Sequence, residues 1–322
     1  MLGIARFAMR GQVTAASVAS ALLLFGLFAA VLLGAAGAVL SFLAMIASCA
    51  IVTLTFLRQG ERAGLQVTAA GIIMLTVASL MMGGGALQAL LLVVTFWLPA
   101  TVGAVVLRRY IQLELALLVL AGLAIAGVLL VFVFMGDPTA FWEARLGQWS
   151  EDMVNAGAFK NPDGTDLVAG EKLSEFVSVL ARSLTGTMAV SLFWLASLSL
   201  LLARFWQARL YNPGGFQLEF HALEFGKPAA AVALGVTLLS MLMARSNMLE
   251  SNALLLAVTM VLVAVFMFQG LAVIHSLVKS RSMSQGWLVG IYVLMMFIHT
   301  MALLAALGLA DNWLNIRQKG KQ

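Results

Sequence analysis

Between Arg10 and Arg58 the chain carries no charged residue. About twenty apolar residues cross the hydrocarbon core of a bilayer, so this run is too long for one crossing and cannot coat a water-soluble domain. The rest of the chain has the same character. Apolar residues make up 62% and charged residues 10%, with a mean hydropathy of +1.01, against roughly 45–50% and 25% in soluble domains. Backbone groups in lipid are satisfied only in helices or closed barrels. The apolar runs are continuous, not alternating, which excludes barrel strands. The expected fold is all-α, a polytopic transmembrane helical bundle whose first partner is the lipid bilayer.

The run 13–57 divides near Gly34-Ala35-Ala36-Gly37 into two spans joined by a tight turn. Further spans are expected at 64–82, from Gly83-Gly84-Gly85 to 107, and at 111–135, 186–203, 228–244, 252–278 and 286–310. That makes about nine, within a range of eight to ten. Arg6 and Arg10 precede the first, which is too long for a signal-peptide core and is expected to stay as a membrane helix. Three regions follow: an N-terminal membrane bundle at 1–135, an extracytoplasmic loop at 136–185 and a C-terminal membrane bundle at 186–322.

Charge sets the orientation. With the N-terminus in the cytoplasm, Arg6/Arg10, Arg58/Arg62, Arg108/Arg109, Arg204/Arg209/Lys227 and Lys279/Arg281 all lie inside, as positive flanks should. The tail Arg317, Lys319 and Lys321 disagrees, because nine spans place it outside. The pI of 9.7 thus reflects topology, and no nucleic-acid partner is expected. Cys49 is the single cysteine, so neither a disulfide within the chain nor a Cys-based metal site is available.

The loop 136–185 holds eight acids and four bases, a balance of −4. Trp142, Leu146, Trp149 and Met153 recur at helical spacing, as do Leu173, Phe176, Val177 and Leu180 beyond the turn Asn161-Pro162-Asp163-Gly164. An amphipathic helical hairpin is expected, lying on the outer membrane face or packed on the bundle.

No carboxylate, lysine or arginine is expected at mid-bilayer, Glu114 reaching deepest. Charge-coupled carriers usually place ionisable groups there, so such a carrier is disfavoured. His299, in the expected last span, shares a helical face with Tyr292, Met295 and Met296. Gln269 is a second polar residue within a span, and Trp97 with Pro99 marks a kink. His299, Gln269, Trp97 and Tyr292 are candidate ligand-binding residues, bonding between helices being the alternative. Ala15 and Ala19 form a small-xxx-small pair suited to a docking partner helix or to internal packing. In the link 204–227, Glu219, His221 and Glu224 lack a second cluster to complete a metal site. No metal, cofactor or catalytic motif is expected, and the chain is read as a non-enzyme.

Three stretches carry a family resemblance: Phe56-Leu57-Arg58-Gln59-Gly60-Glu61-Arg62-Ala63-Gly64, Phe268-Gln269-Gly270-Leu271-Ala272-Val273, and Gly308-x-x-Asp311-x-Trp313-x-x-x-Arg317. Together with the insertion between early and late spans, they resemble the YybS-like bacterial membrane proteins. More distantly the chain is similar to the S components of energy-coupling-factor transporters, which bind vitamins or metals and dock on a separate ATPase module. The resemblance implies a multi-pass protein of the bacterial cytoplasmic membrane that binds a small molecule, with Ala15 and Ala19 facing an ATPase partner. This chain departs from S components in having about nine spans where they have six. The rival expectation is a non-catalytic scaffold or envelope-assembly factor. For the closing pattern, the residues themselves suggest that Asp311 caps the last span or salt-bridges to Arg317, with Trp313 at the interface, ligand binding being the alternative.

Overall fold

The computed structural model describes residues 2–157, 170–245 and 252–319, and these form helices without a strand. In order they are α1 (Leu2–Ala8), α2 (Gln12–Gln59), α3 (Glu61–Met81), α4 (Ala86–Leu92), α5 (Leu98–Tyr110), α6 (Leu113–Met135) and α7 (Thr139–Asn155). There follow α8 (Gly170–Tyr211), α9 (Gly215–His221), α10 (Gly226–Arg245), α11 (Ala253–Ser280), α12 (Gly286–Leu294), α13 (Ile298–Leu314) and α14 (Ile316–Lys319). Seven helical stretches among the described residues are long and apolar enough to cross a membrane, α4 and α5 forming one of them. The helical membrane bundle expected from composition is what the chain forms.

The first stretch, α2, has 48 residues and reverses at Gly34, where φ is 60° and ψ is −139°. A side chain is strained in that region, whereas glycine adopts it freely. Ser48 Oγ donates to the Ala19 carbonyl at 2.7 Å, and Ser41 Oγ donates to the Gly26 carbonyl. Residue 19 thus meets 48 and 26 meets 41, so arms 12–33 and 35–59 run antiparallel, as two passes joined where the glycine-rich turn is expected.

A π-helical turn, Val93–Trp97, joins α4 to α5 just before Pro99. Proline lacks an N–H and crowds the preceding turn, and the widened turn accommodates it. The same turn swings Trp97 fully into the core, where its Nε1 donates to Ser48 Oγ at 3.0 Å. One buried serine therefore joins both arms of α2 to the kink. At the far end of α2, Arg108 Nη1 donates to the Phe56 and Leu57 carbonyls at 3.1 and 2.9 Å. A cation there meets carbonyls that a helix end leaves unpaired. Arg109 pairs with Glu61 at 2.9 Å, and the Arg58 guanidinium lies 4.0 Å from the Tyr211 ring centroid.

Two compact units share the chain. One comprises residues 1–123, 192–227 and 265–322; the other comprises 124–191 and 228–264. In the second, α7 lies along the start of α8, and Trp142 Nε1 donates to Thr185 Oγ1 at 2.9 Å. Leu146, Met153, Leu173 and Val177 are half-buried, while Trp149 and Phe176 stay exposed. The second arm of the expected hairpin is no separate helix: α8 runs unbroken for 42 residues through Thr185 and Gly186. The turn Asn161–Gly164 lies outside the described residues.

The expected ninth span, 286–310, is not one continuous helix. Helices α12 and α13 are bent by 117° at Met295–Phe297, where Phe297 is extended. Neither proline nor glycine marks that break. Helix α12 begins beside Gln217, His221 and Lys279, and after α13 Arg317 bonds the His221 carbonyl. Both ends of the pair thus lie beside His221, the geometry of a broken span or of a re-entrant loop. Arg317, just past α13, lies at the end that holds the 204–227 link.

Replacing Gly34 with alanine should lower stability by about 1–3 kcal/mol through backbone strain, since no atom lies within 4 Å of where a methyl would sit. Thermal unfolding of the detergent-solubilised variant measures this. An unchanged melting temperature would contradict the reversal.

Candidate functional site

Helices α11 and α13 cross at two glycines. A methyl on Gly270 would overlap the Leu304 carbonyl, and one on Gly308 would overlap the Phe266 carbonyl. Such close approach of backbones is what small residues permit in membrane bundles. The crossing sets Gln269 beside Asp311. Both are buried, at 0% and 2% exposure.

Gln269 and Asp311 are partnered at each polar atom, although Asn312 Oδ1 beside them is buried without a hydrogen bond. Gln269 Oε1 accepts the Phe225 N–H at 3.1 Å, satisfying a backbone donor just ahead of α10. Its Nε2 lies 3.5 Å from Asp311 Oδ2. Asp311 Oδ1 accepts the Ile316 N–H at 3.0 Å across the left-handed residue Asn315, closing α13 against α14. Asp311 Oδ2 takes two contacts from Arg317, at 3.0 Å from Nε and 2.6 Å from Nη2. Arg317 Nη1 donates to the His221 carbonyl at 2.7 Å, and its guanidinium lies 3.7 Å from Glu224. Where a cap or an ion pair was expected at the last helix, both are present, together with a link to α9 that sequence did not reveal.

Next to this knot lie two cavities that share His221 and Lys279. The larger, about 460 Å³, also meets Glu224, Asp311 and Arg317. The smaller, about 320 Å³, is lined by Gln217, His221, His275, Lys279, Ser282 and Gln285 with three apolar residues. His275 Nε2 and Tyr292 Oη are 2.9 Å apart, and the His221 and His275 ring centroids 6.1 Å. Burial pushes the His221 imidazole below its usual pKa, and the charges of Lys279 and Arg317 push the same way. Lys279 has no acidic partner within 4 Å among the described residues. The link's acids are engaged, Glu219 by Arg204 and Glu224 by Arg317. No group of three metal-ligating side chains occurs among the described residues.

The four candidate ligand residues do not converge. Trp97 is sealed against Ser48, and Gln269 serves Phe225 and Asp311. His299 is exposed, and the bend at Met295–Phe297 removes the continuous face it was to share with Tyr292. Tyr292 reaches the cavity edge through His275. Ala15 and Ala19 are 2% and 0% exposed, packed within the chain. The pair missed in the sequence is His275 with Lys279. Their i, i+4 spacing near a helix end is a signal that one face carries both.

These features define a multi-pass helical membrane protein with a polar knot binding its C-terminal helices. The chain belongs to the family described as predicted membrane protein (DUF2232), whose model matches residues 27–312. All three resemblance stretches lie at least partly in that range, and the second and third meet in the knot. No curated protein and no solved structure gives a significant match.

Asp311→Ala should cost up to about 3–5 kcal/mol, since it leaves the Arg317 guanidinium without its buried partner; chemical unfolding in detergent reads the loss. His221 gives a pH signature. Its folded pKa lies below the unfolded 6.5, so the unfolded chain binds the proton more readily. The sign follows: no penalty above about pH 6.5, and stability lost as pH falls below it. Melting curves at pH 7.5 and 5.5 should show a smaller drop for His221→Gln than for the wild type.

Proposed function

We propose that this chain is a non-catalytic, ligand-binding membrane component, with its N-terminus, basic links and tail on the cytoplasmic side of a bacterial inner membrane. The carrying observation is the cavity pair at His221 and Lys279. The knot beside it uses up its own acids, while Lys279 and the two histidines stay turned toward open space. Such a mostly pre-formed cavity with a few converging polar groups is the usual form of a small-molecule site. The role resembles that of S components, and active uptake would then require a partner ATPase. Docking by Ala15 and Ala19 would need α2 to open, so another surface would serve. The binding site of this proposal lies at the α9–α11–α12 end, away from Trp97 and His299.

A scaffold role is the second reading, favoured by exposed apolar residues on the insertion. Phe141 and Trp149 on α7 and Phe176 and Val179 on α8 are each about half exposed.

Purification in mild detergent, followed by mass spectrometry of co-purifying proteins and small molecules, tests both. A stoichiometric small ligand, lost in His275→Ala, is the expected outcome. Protein partners without any small ligand, lost when α7 is deleted, would replace the binder with the scaffold. Gln269→Ala is the wrong probe, because it strands the Phe225 N–H at a cost of about 1–3 kcal/mol. If the tail faces the cytoplasm, Gln322→Cys and Asn212→Cys should react with an impermeant thiol reagent from the same side. Opposite labelling would sink the re-entrant loop.

A further inference from the structure

The smaller cavity differs from its neighbour in one chemical respect: no carboxylate lines it. Lys279 supplies an ammonium with no acidic partner within 4 Å among the described residues. His221, His275, Gln217, Gln285 and Ser282 supply groups able to donate hydrogen bonds. Every acid near this end is occupied elsewhere, Asp311 and Glu224 by Arg317 and Glu219 by Arg204. A cation and several donors around a cavity free of acids select an anion. At about 320 Å³ the space admits a tetrahedral oxyanion with a small substituent.

The flank narrows the class further. Leu288, Val278 and Met283 complete the lining. Helix α12 then continues with Trp287, Val289 and Val293 exposed, at 61%, 64% and 56%. The cationic cavity thus adjoins a helix whose exposed surface is apolar on several faces, which is the polarity order of an amphiphile with a charged head.

Resting on the binding role above, we propose that this cavity is a phosphate site, recognising a phosphomonoester or phosphodiester through Lys279, His221 and His275. The phosphate is carried by a lipid headgroup or by a water-soluble solute. Lys279 is the charge partner, and the histidines are neutral donors that tighten the contact when protonated. Arg317 takes no part, since Asp311 and the His221 carbonyl hold it.

The test uses the full-length chain, delipidated in detergent, with Lys279→Ala, Lys279→Arg and Arg281→Ala as variants. Lys279 and Arg281 are both exposed, so each substitution should leave the fold intact, checked by monodispersity. Native mass spectrometry compares dioleoylphosphatidylglycerol with dioleoylphosphatidylcholine, and thermal shift reads inorganic phosphate at millimolar concentration. The expected result is retention of phosphatidylglycerol, weakened about tenfold by Lys279→Ala, restored by Lys279→Arg and untouched by Arg281→Ala. That pattern assigns a lipid-borne phosphate. Stabilisation by inorganic phosphate alone, with the same dependence on Lys279, assigns a soluble phosphate compound. The proposal is overturned if neither probe binds, if Lys279→Ala binds as the wild type does, or if Arg281→Ala weakens binding equally. A co-purified ligand without phosphate that persists in Lys279→Ala overturns the phosphate site but spares the binding role. That role falls separately if the wild type co-purifies with no small ligand.

Discussion

A buried ion pair holds the C-terminal half of the larger unit together. Desolvating a carboxylate and a guanidinium costs several kcal/mol per ion, recovered only when geometry and further hydrogen bonds are good. Asp311 and Arg317 meet that condition through two contacts on one carboxylate oxygen, the Ile316 N–H on the other and the His221 carbonyl on the guanidinium. Gly270 and Gly308 let α11 and α13 approach closely enough to bring Gln269 against Asp311, adding a neutral contact to the pair. The same arginine returns the end of α13 to α9 and lines the larger cavity.

The N-terminal helices solve the same problem with neutral groups. Ser48 Oγ accepts the Trp97 Nε1–H and donates its own O–H to the Ala19 carbonyl, which ties three segments without burying a charge. The contrast follows depth. Charged side chains deep in a bilayer are costly and serve function, whereas a hydroxyl satisfies its bonds within reach of its own backbone. The ions of this chain are accordingly placed at helix ends: Arg108 over the α2 carbonyls, Glu114 in the first turn of α6, and Arg317 past α13.

Much of the fold was legible because its determinants are local. The reversal at Gly34 shows as a glycine pair inside an overlong apolar run, the π turn as Trp97 followed by Pro99, and the helix cap as Asp311 six residues before Arg317. The break at Met295–Phe297 was not legible. Three large apolar residues fit an unbroken helix as well as a bend, and only the packing of α13 on α11 decides between them. The face drawn through His299 and Tyr292 inherited that error. Ala15 and Ala19 show another limit: spacing reveals that two backbones approach closely, but not whether the second belongs to a partner or to the same chain. The site was half visible. Gln269 and Asp311 stand out as polar residues in apolar surroundings, whereas His275 and Lys279 look like an ordinary wet helix end until α9 is placed against them.

The conflict over the tail held the missing information. Five basic clusters agree on one side, and the sixth, Arg317 with Lys319 and Lys321, disagrees only if 286–310 crosses the membrane. A re-entrant element changes the parity without changing the hydropathy, so hydropathy alone cannot detect it while charge can. The bond from Arg317 to the His221 carbonyl is the structural form of that charge argument. It holds Arg317 beside the 204–227 link and in the wall of the larger cavity that Lys279 also lines. One arginine therefore ties the end of α13 to the 204–227 link, a contact that hydropathy does not register and charge does.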